Sequence, residues 1–252
     1  MLKLMLVGAL GRMGRAVAAA AAEREDCTVL CGVDREASDA LAFPVYSSFD
    51  DVQEQADCII DFSNPGALPG LLDYALRTGT PAVIATTGLS AQQIDSIRAA
   101  SEKVPLFFSA NMSLGVNLLA ALAKKAAEIL GDSFDIEIIE KHHNRKLDAP
   151  SGTALMLASA LEEGLSYSPE YTYDRHAVRK QRDPHEIGIH AIRGGTIVGE
   201  HEILFAGRDE MVTLSHTALS REVFAVGALN AALFLPGQTP GLYSMKELVE
   251  QK

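Results

Sequence analysis

The sequence predicts an α/β protein with two domains: a parallel sheet covered on both faces by helices, and an α+β domain with a mixed sheet. Three observations carry this. In the first half, short and nearly continuous apolar runs alternate with helical segments, as parallel strands buried on both faces require. A glycine-rich turn joins the first run to the first helix. In the second half, three strand-like runs follow one another without helices between them, which predicts antiparallel or mixed pairing.

The run KLMLVG (3–8) predicts the first strand, and the Ala-rich stretch beyond GALGRMG (8–14) predicts a helix to about Glu25. TVLCGVD (28–34), DCIIDFS (57–63), PAVIATTG (81–88) and PLFFSAN (105–111) predict four further strands. Between them, one helix starts near Pro65, and another is opened by Ser90 with Gln93 three residues on, a capping box. A helix over about Leu114 to Leu130 then leads to DIEIIEKHHN (135–144), an alternating strand, and SGTALMLASALEE (151–163) predicts another helix. Residues 164–186 are polar and aperiodic and predict a long loop. EIGIHAIR (186–193), TIVGEHEILFAG (196–207) and MVTLSHTAL (211–219) predict three strands, and REVFAVGALNAALFL (221–235) a last apolar helix that is free to return to the first domain. The domains are therefore placed at 1–113 with 221–252, and at 114–220.

A chain of 252 residues buries about 70% of its unfolded surface, enough for a large core. Its net charge of −11 repels phosphate backbones and anionic lipid, so nucleic acid and membrane surfaces are poor partners. Neither long charge-free stretch predicts a membrane span: Val104–Ala123 holds Pro105 and four Ser or Asn residues, and Val223–Met245 is broken by Pro236, Gly237 and Pro240. The N-terminal apolar run stops at Leu10 before Gly11 and Arg12, unlike a signal peptide. Cys27, Cys31 and Cys58 show neither disulfide nor zinc spacing, which favours a reducing, cytoplasmic setting and reads them as small buried hydrophobes.

Gly8, Gly11 and Gly14 follow a strand and open a helix, the arrangement of a Rossmann-type dinucleotide site. A tight turn and a close backbone approach exclude side chains there, and the helix N-terminus offers free N–H groups to a pyrophosphate. Leu10 stands where the usual motif has its second glycine. Asp34, 20 positions beyond Gly14, is placed to accept ribose hydroxyls, which favours NADH. Arg35 is placed to hold a 2′-phosphate, so the pair leaves NADH and NADPH both open; a solvent-exposed turn arginine is the plain alternative.

KHHNRK (141–146) has three fixed positive charges and no acid within it, an island in an acidic chain where an anionic substrate can bind. Ser151, Gly152 and Thr153 follow at a predicted helix N-terminus, a second anion site, and the pair suits a small dicarboxylate. Adjacent strand residues point to opposite faces, so His142 and His143 share one cleft only if the strand breaks there. Otherwise one is buried and the other solvated. No carboxylate or cysteine stands at ligand spacing, so no metal is expected, and Arg145 is equally readable as a solvated charge.

EKHHNRKLDAPSGTA (140–154) resembles the signature of the dihydrodipicolinate reductases, also called 4-hydroxy-tetrahydrodipicolinate reductases, of bacterial lysine biosynthesis. The resemblance extends to VGALGRMG (7–14), DFS (61–63), ATTG (85–88), SANMS (109–113) and IRGGTIVGEHEILFAG (192–207). It implies a Rossmann-type nucleotide-binding domain, a substrate-binding and oligomerisation domain, and a homotetramer built through the mixed sheet. It implies NADH or NADPH bound by Gly8, Gly11, Arg12, Met13 and Gly14, by Asp34 and Arg35, and by loops at Thr86, Thr87 and Gly88 and at Ala110, Asn111 and Met112. His142 matches the catalytic histidine and Lys146 the catalytic lysine. His143, Gly152 and Thr153 match substrate-binding positions. Ser63 and Asn64 depart from the threonine and basic residue common in that family, and the 164–186 loop matches no motif. Two other readings are open to such a chain. A semialdehyde dehydrogenase needs a nucleophilic cysteine in the second half, and all three cysteines precede residue 59. A nucleotide-sensing regulatory protein on the same fold has no need of the basic island.

Overall fold

The structure, a computed structural model, describes residues 1–250. Strand β1 (Leu2–Val7) ends at Gly8, and α1 (Arg12–Ala22) starts after Gly11 and stops short of Glu25. β2 (Cys27–Val33), β3 (Val45–Tyr46) and β4 (Cys58–Asp61) follow. Helix α2 (Leu68–Thr78) is entered by a 3-10 turn at Pro65–Ala67. It is stopped by Gly79, whose φ of +69° is the left-handed geometry of a helix C-cap. β5 (Ala82–Ile84) leads to α3 (Ala91–Ser101), where both arms of the Ser90–Gln93 capping box are made, and then to β6 (Pro105–Phe108).

Helix α4 (Leu114–Leu130) precedes β7 (Asp135–His142), α5 (Gly152–Glu162), β8 (Glu170–Thr172), β9 (Glu186–Arg193), β10 (Gly199–Ala206) and β11 (Met211–Ala218). The chain closes with α6 (Glu222–Phe234), β12 (Gly241–Tyr243) and α7 (Met245–Glu250). It forms two compact units, Met1–Leu114 with Glu222–Lys252, and Gly115–Arg221.

The first unit holds a seven-stranded sheet, β12-β6-β5-β4-β1-β2-β3, parallel throughout. Alternation sends Leu4 and Leu6 to one face, where α1 and α6 cover them, and Met5 and Val7 to the other, under α2 and α3. Each such buried side chain contributes about 1.5–3 kcal/mol. Its three cysteines are buried thiols, and burial pushes Cys31 up to about 12.

The second unit holds a mixed sheet, β11-β10-β7-β9-β8. β10 pairs antiparallel with β7 and β11, while β9 pairs parallel with β7 and β8. The stretch expected to be a loop throughout 164–186 contains β8. It is tied down by charge: Arg175 bridges Glu137 and Glu186, and Arg182 bridges Asp135 and Glu137. Such pairing leaves no apolar period in the sequence, which is why the strand was not expected.

Candidate active site

Each unit holds a candidate site of its own. In the first, Gly8 has a φ of +78°, and a Cβ there would lie 2.8 Å from the carbonyl oxygen of Phe62. A Cβ on Gly14 would overlap the carbonyl oxygen of Gly8, so α1 sits directly on the turn. No side chain caps α1 at Gly11, which leaves its first N–H groups open to an anion. Leu10 departs from the usual glycine, but its backbone does the work there: its N–H donates to Asp34 Oδ2 at 2.8 Å. Asp34 Oδ1 accepts the N–H of Arg35 at 2.8 Å, so the carboxylate is preset beside the turn.

Gly8, Asp34 and the exposed Arg35 line a cavity of about 440 Å³ together with Ser63 and Arg77. A second cavity, about 430 Å³, brings together Arg12, Met13, Thr86, Thr87, Ala110 and Met112 with Phe62, Ser63 and Phe224. Ser63 lines both. These cradles, one under a glycine turn that tolerates no Cβ, fit a dinucleotide. Gly11 and Gly14 line neither cavity. Gly88 (φ +77°) and Asn111 also lie outside the linings and shape the loops, Asn111 Oδ1 accepting the N–H of Ser113 at 2.9 Å. Beneath them, burial pushes the Asp61 carboxyl up, opposed by the hydroxyls of Ser63 and Thr86. The sequence reading did not find Ser63, Arg77 or Phe224 as lining residues.

In the second unit, β7 turns Ile136, Ile138, Glu140 and His142 inward. Glu140 is fully buried, and a buried carboxylate is costly unless paired and hydrogen-bonded. It takes two hydrogen bonds from Arg193, both 2.7 Å, one from the Ser151 N–H at 3.0 Å, and one from His142 Nδ1 at 2.6 Å. Burial raises Glu140, but these three partners together hold it below the ordinary carboxylate range. Ser151 caps α5 by accepting the Ala154 N–H, and its hydroxyl meets His201 Nε2 at 3.1 Å. Burial, reinforced by His142, pushes His201 down to about 4, so it is neutral.

β7 ends at His142, so His143 is released from strict alternation. His142 is buried and His143 half-buried. His143 is pushed down by burial and then by Arg221, Arg145, His142 and Lys146, which marks a positive local potential. Lys146 Nζ pairs with Asp148 at 2.8 Å. A Cβ on Gly152 would meet nothing within 4 Å, so the start of α5 opens onto unfilled space, with Thr153 next to it. One member of the basic run is displaced. Alternation puts Lys141 on the opposite sheet face from His142, where it pairs with Glu200 at 2.8 Å and leaves the island. Glu140, Arg193, His201 and Arg221 are additions that the sequence reading lacked. Among the described residues, no group of three or more His, Cys, Asp or Glu is placed to hold a metal.

The chain matches a family model described as dihydrodipicolinate reductase, N-terminus, over residues 2–112, and one described as dihydrodipicolinate reductase, C-terminus, over 115–249. It is 53% identical to a 4-hydroxy-tetrahydrodipicolinate reductase of Caldanaerobacter subterraneus, covering 100% of this chain and 99% of that one. It is 44% identical to the Clostridium novyi protein of the same name, covering both chains completely (100%). Among solved structures, a dipicolinate-bound dihydrodipicolinate reductase from Paenisporosarcina sp. TG-14 superposes with a TM-score of 0.82 at 24% identity, covering 97% of each chain, and so shares the fold.

Proposed function

The chain belongs to the dihydrodipicolinate reductase family, and from that membership we infer its reaction. It reduces 4-hydroxy-tetrahydrodipicolinate to tetrahydrodipicolinate with a nicotinamide dinucleotide, a step of the diaminopimelate route to lysine. The observation that carries the reading is the site in the second unit. His142, Lys146 and the open N-terminus of α5 lie within residues 142–153, in a positive potential that an otherwise acidic chain does not offer at random. Adding enzymatically generated substrate and following the absorbance of NADH or NADPH tests it. No consumption of either would overturn it.

When bound, the nicotinamide supplies the hydride that the unsaturated ring accepts after loss of the 4-hydroxyl group as water. The resulting enamine must take a proton, and a positioned acid at that step is worth about 10²- to 10⁴-fold in rate. His142 is that acid, an imidazole whose ring nitrogens can take up and release a proton. Lys146 exchanges Asp148 for the substrate's negative charge, and the N-terminus of α5 with Gly152 and Thr153 holds a carboxylate, with His143 alongside. Thr153→Val is expected to raise the KM for substrate about 3- to 10-fold, the worth of one hydrogen bond, with the cofactor Kd unchanged. Pyridine-2,6-dicarboxylate, the dipicolinate found in the Paenisporosarcina structure, is expected to inhibit competitively. No inhibition at millimolar concentration would count against the dicarboxylate site.

In the first unit, Gly8, Gly11 and Gly14 with Arg12 and Met13 seat the pyrophosphate. Asp34 takes the ribose hydroxyls of NADH, and Arg35 admits the 2′-phosphate of NADPH. Asp34→Ala is expected to weaken NADH about tenfold, the worth of a charge-assisted hydrogen bond, and NADPH less. Because Asp34 also holds the Leu10 N–H, equal losses for both cofactors would reduce its role to shaping the turn. A homotetramer through the open face of the mixed sheet, where Met211 is 71% exposed, is the assembly this reading carries, and light scattering measures it. Among the described residues, no helix is long and apolar enough to cross a membrane.

A further inference from the structure

We propose that Glu140 is a positioning residue that holds the proton of His142 on Nδ1, so that Nε2 is the nitrogen that takes up a proton from water, giving the imidazolium, and passes that proton to the substrate. The proposal rests on the reading of His142 as the proton donor and adds a residue that acts through it.

A neutral imidazole carries its proton on either nitrogen, and only a neighbour decides which. Here the neighbour is Glu140 Oε2, 2.6 Å from His142 Nδ1. An ionised carboxylate only accepts, so Nδ1 must donate. Glu140 stays ionised because its other contacts are donors: two N–H groups of Arg193 at 2.7 Å and the Ser151 N–H at 3.0 Å. It is fully buried, so water does not compete for these bonds.

The remaining surroundings of His142 agree. His201 on β10 meets the ring edge-on at 5.1 Å, and its Nε2 is spent on the Ser151 hydroxyl. Gly199 lies against the other edge, where a Cβ would come within 3.1 Å of Nε2, so glycine leaves that nitrogen uncovered. Lys146 and His143 follow in the loop after β7, and neither bonds the ring. Arg193 also donates to the carbonyl oxygen of Asp148 at 2.8 Å, and Asp148 holds Lys146. Both proposed catalytic side chains are thus tethered to one guanidinium.

The test is a double-mutant cycle on the full chain with Glu140→Gln, His142→Gln and both together, each checked by thermal denaturation. Glu140→Gln is expected to lower kcat at least about tenfold with the substrate KM within about 3-fold, and to cost under about twofold when His142 is already glutamine. Equal losses in both backgrounds would make Glu140 a general structural residue and overturn the proposal. If His142→Gln alone keeps kcat, the donor assignment fails, which is a separate outcome. Neutron diffraction from crystals of the wild-type chain at pH 8 decides the tautomer even if Glu140→Gln does not fold. A deuteron on Nδ1 supports the proposal, and a deuteron on Nε2 with none on Nδ1 overturns it.

Discussion

His142→Gln is expected to lower kcat by about 100-fold or more while NADH affinity stays near that of the wild type. The separation follows from where the residue stands. His142 closes β7 in the second unit, whereas the glycine turn and the two cavities beside it belong to the first. Glutamine can still donate to Glu140, so the buried carboxylate keeps a partner and the fold is spared. What glutamine lacks is a ring nitrogen that can take up and release a proton. Lys146→Ala should differ, lowering kcat and raising KM together, because a fixed charge serves substrate binding as well as the transition state. If His142 merely packs at a strand end, its loss shows as a lower Tm with kcat intact. A well-folded His142→Gln enzyme with near-normal kcat across the pH profile would shift the proton donor to Lys146 or bound water.

The parts of this molecule that were legible from sequence are those with a local cause. The strands of the first sheet are short apolar runs between turn residues. The Ser90–Gln93 box is a local pair of reciprocal bonds, and the glycine turn is a steric demand of neighbours in the chain. β3, β8 and β12 have two or three residues each, too few to carry a period. In the second unit, His142 and Lys146 are singled out by one contiguous signature, and the alternation of that strand is the signal that could have found Glu140, in line with Ile136 and Ile138 as a charge at an inward position. Its counter-ion was not legible. Arg193 lies 53 residues away, and only the parallel register of β7 with β9, which sets His142 beside Arg193, brings the guanidinium to Glu140. The same alternation removed Lys141 from the island, which a count of charges along the chain does not reveal.

Arg193→Met tests that non-local pairing through stability. Removing one partner of a buried ion pair costs about 3–5 kcal/mol, because the other charge stays behind unpaired. Glu140 keeps the Ser151 N–H and His142, which places the expected loss near the lower end, about 3 kcal/mol, or roughly 6–12 °C in Tm for a chain of this size. The pH dependence separates charge from lost packing. In the wild type, Glu140 sits below the ordinary carboxylate range in the fold, so its contribution is full above that range and is lost as pH falls through the folded value. Without Arg193, burial is opposed by fewer donors and the folded carboxyl titrates higher, so acidification neutralises the stranded charge and relieves the variant. The Tm difference should therefore be largest near pH 7 and shrink towards pH 4. A difference that stays constant over that interval would mean that methionine fails for want of shape, and that the Glu140 charge does not depend on Arg193.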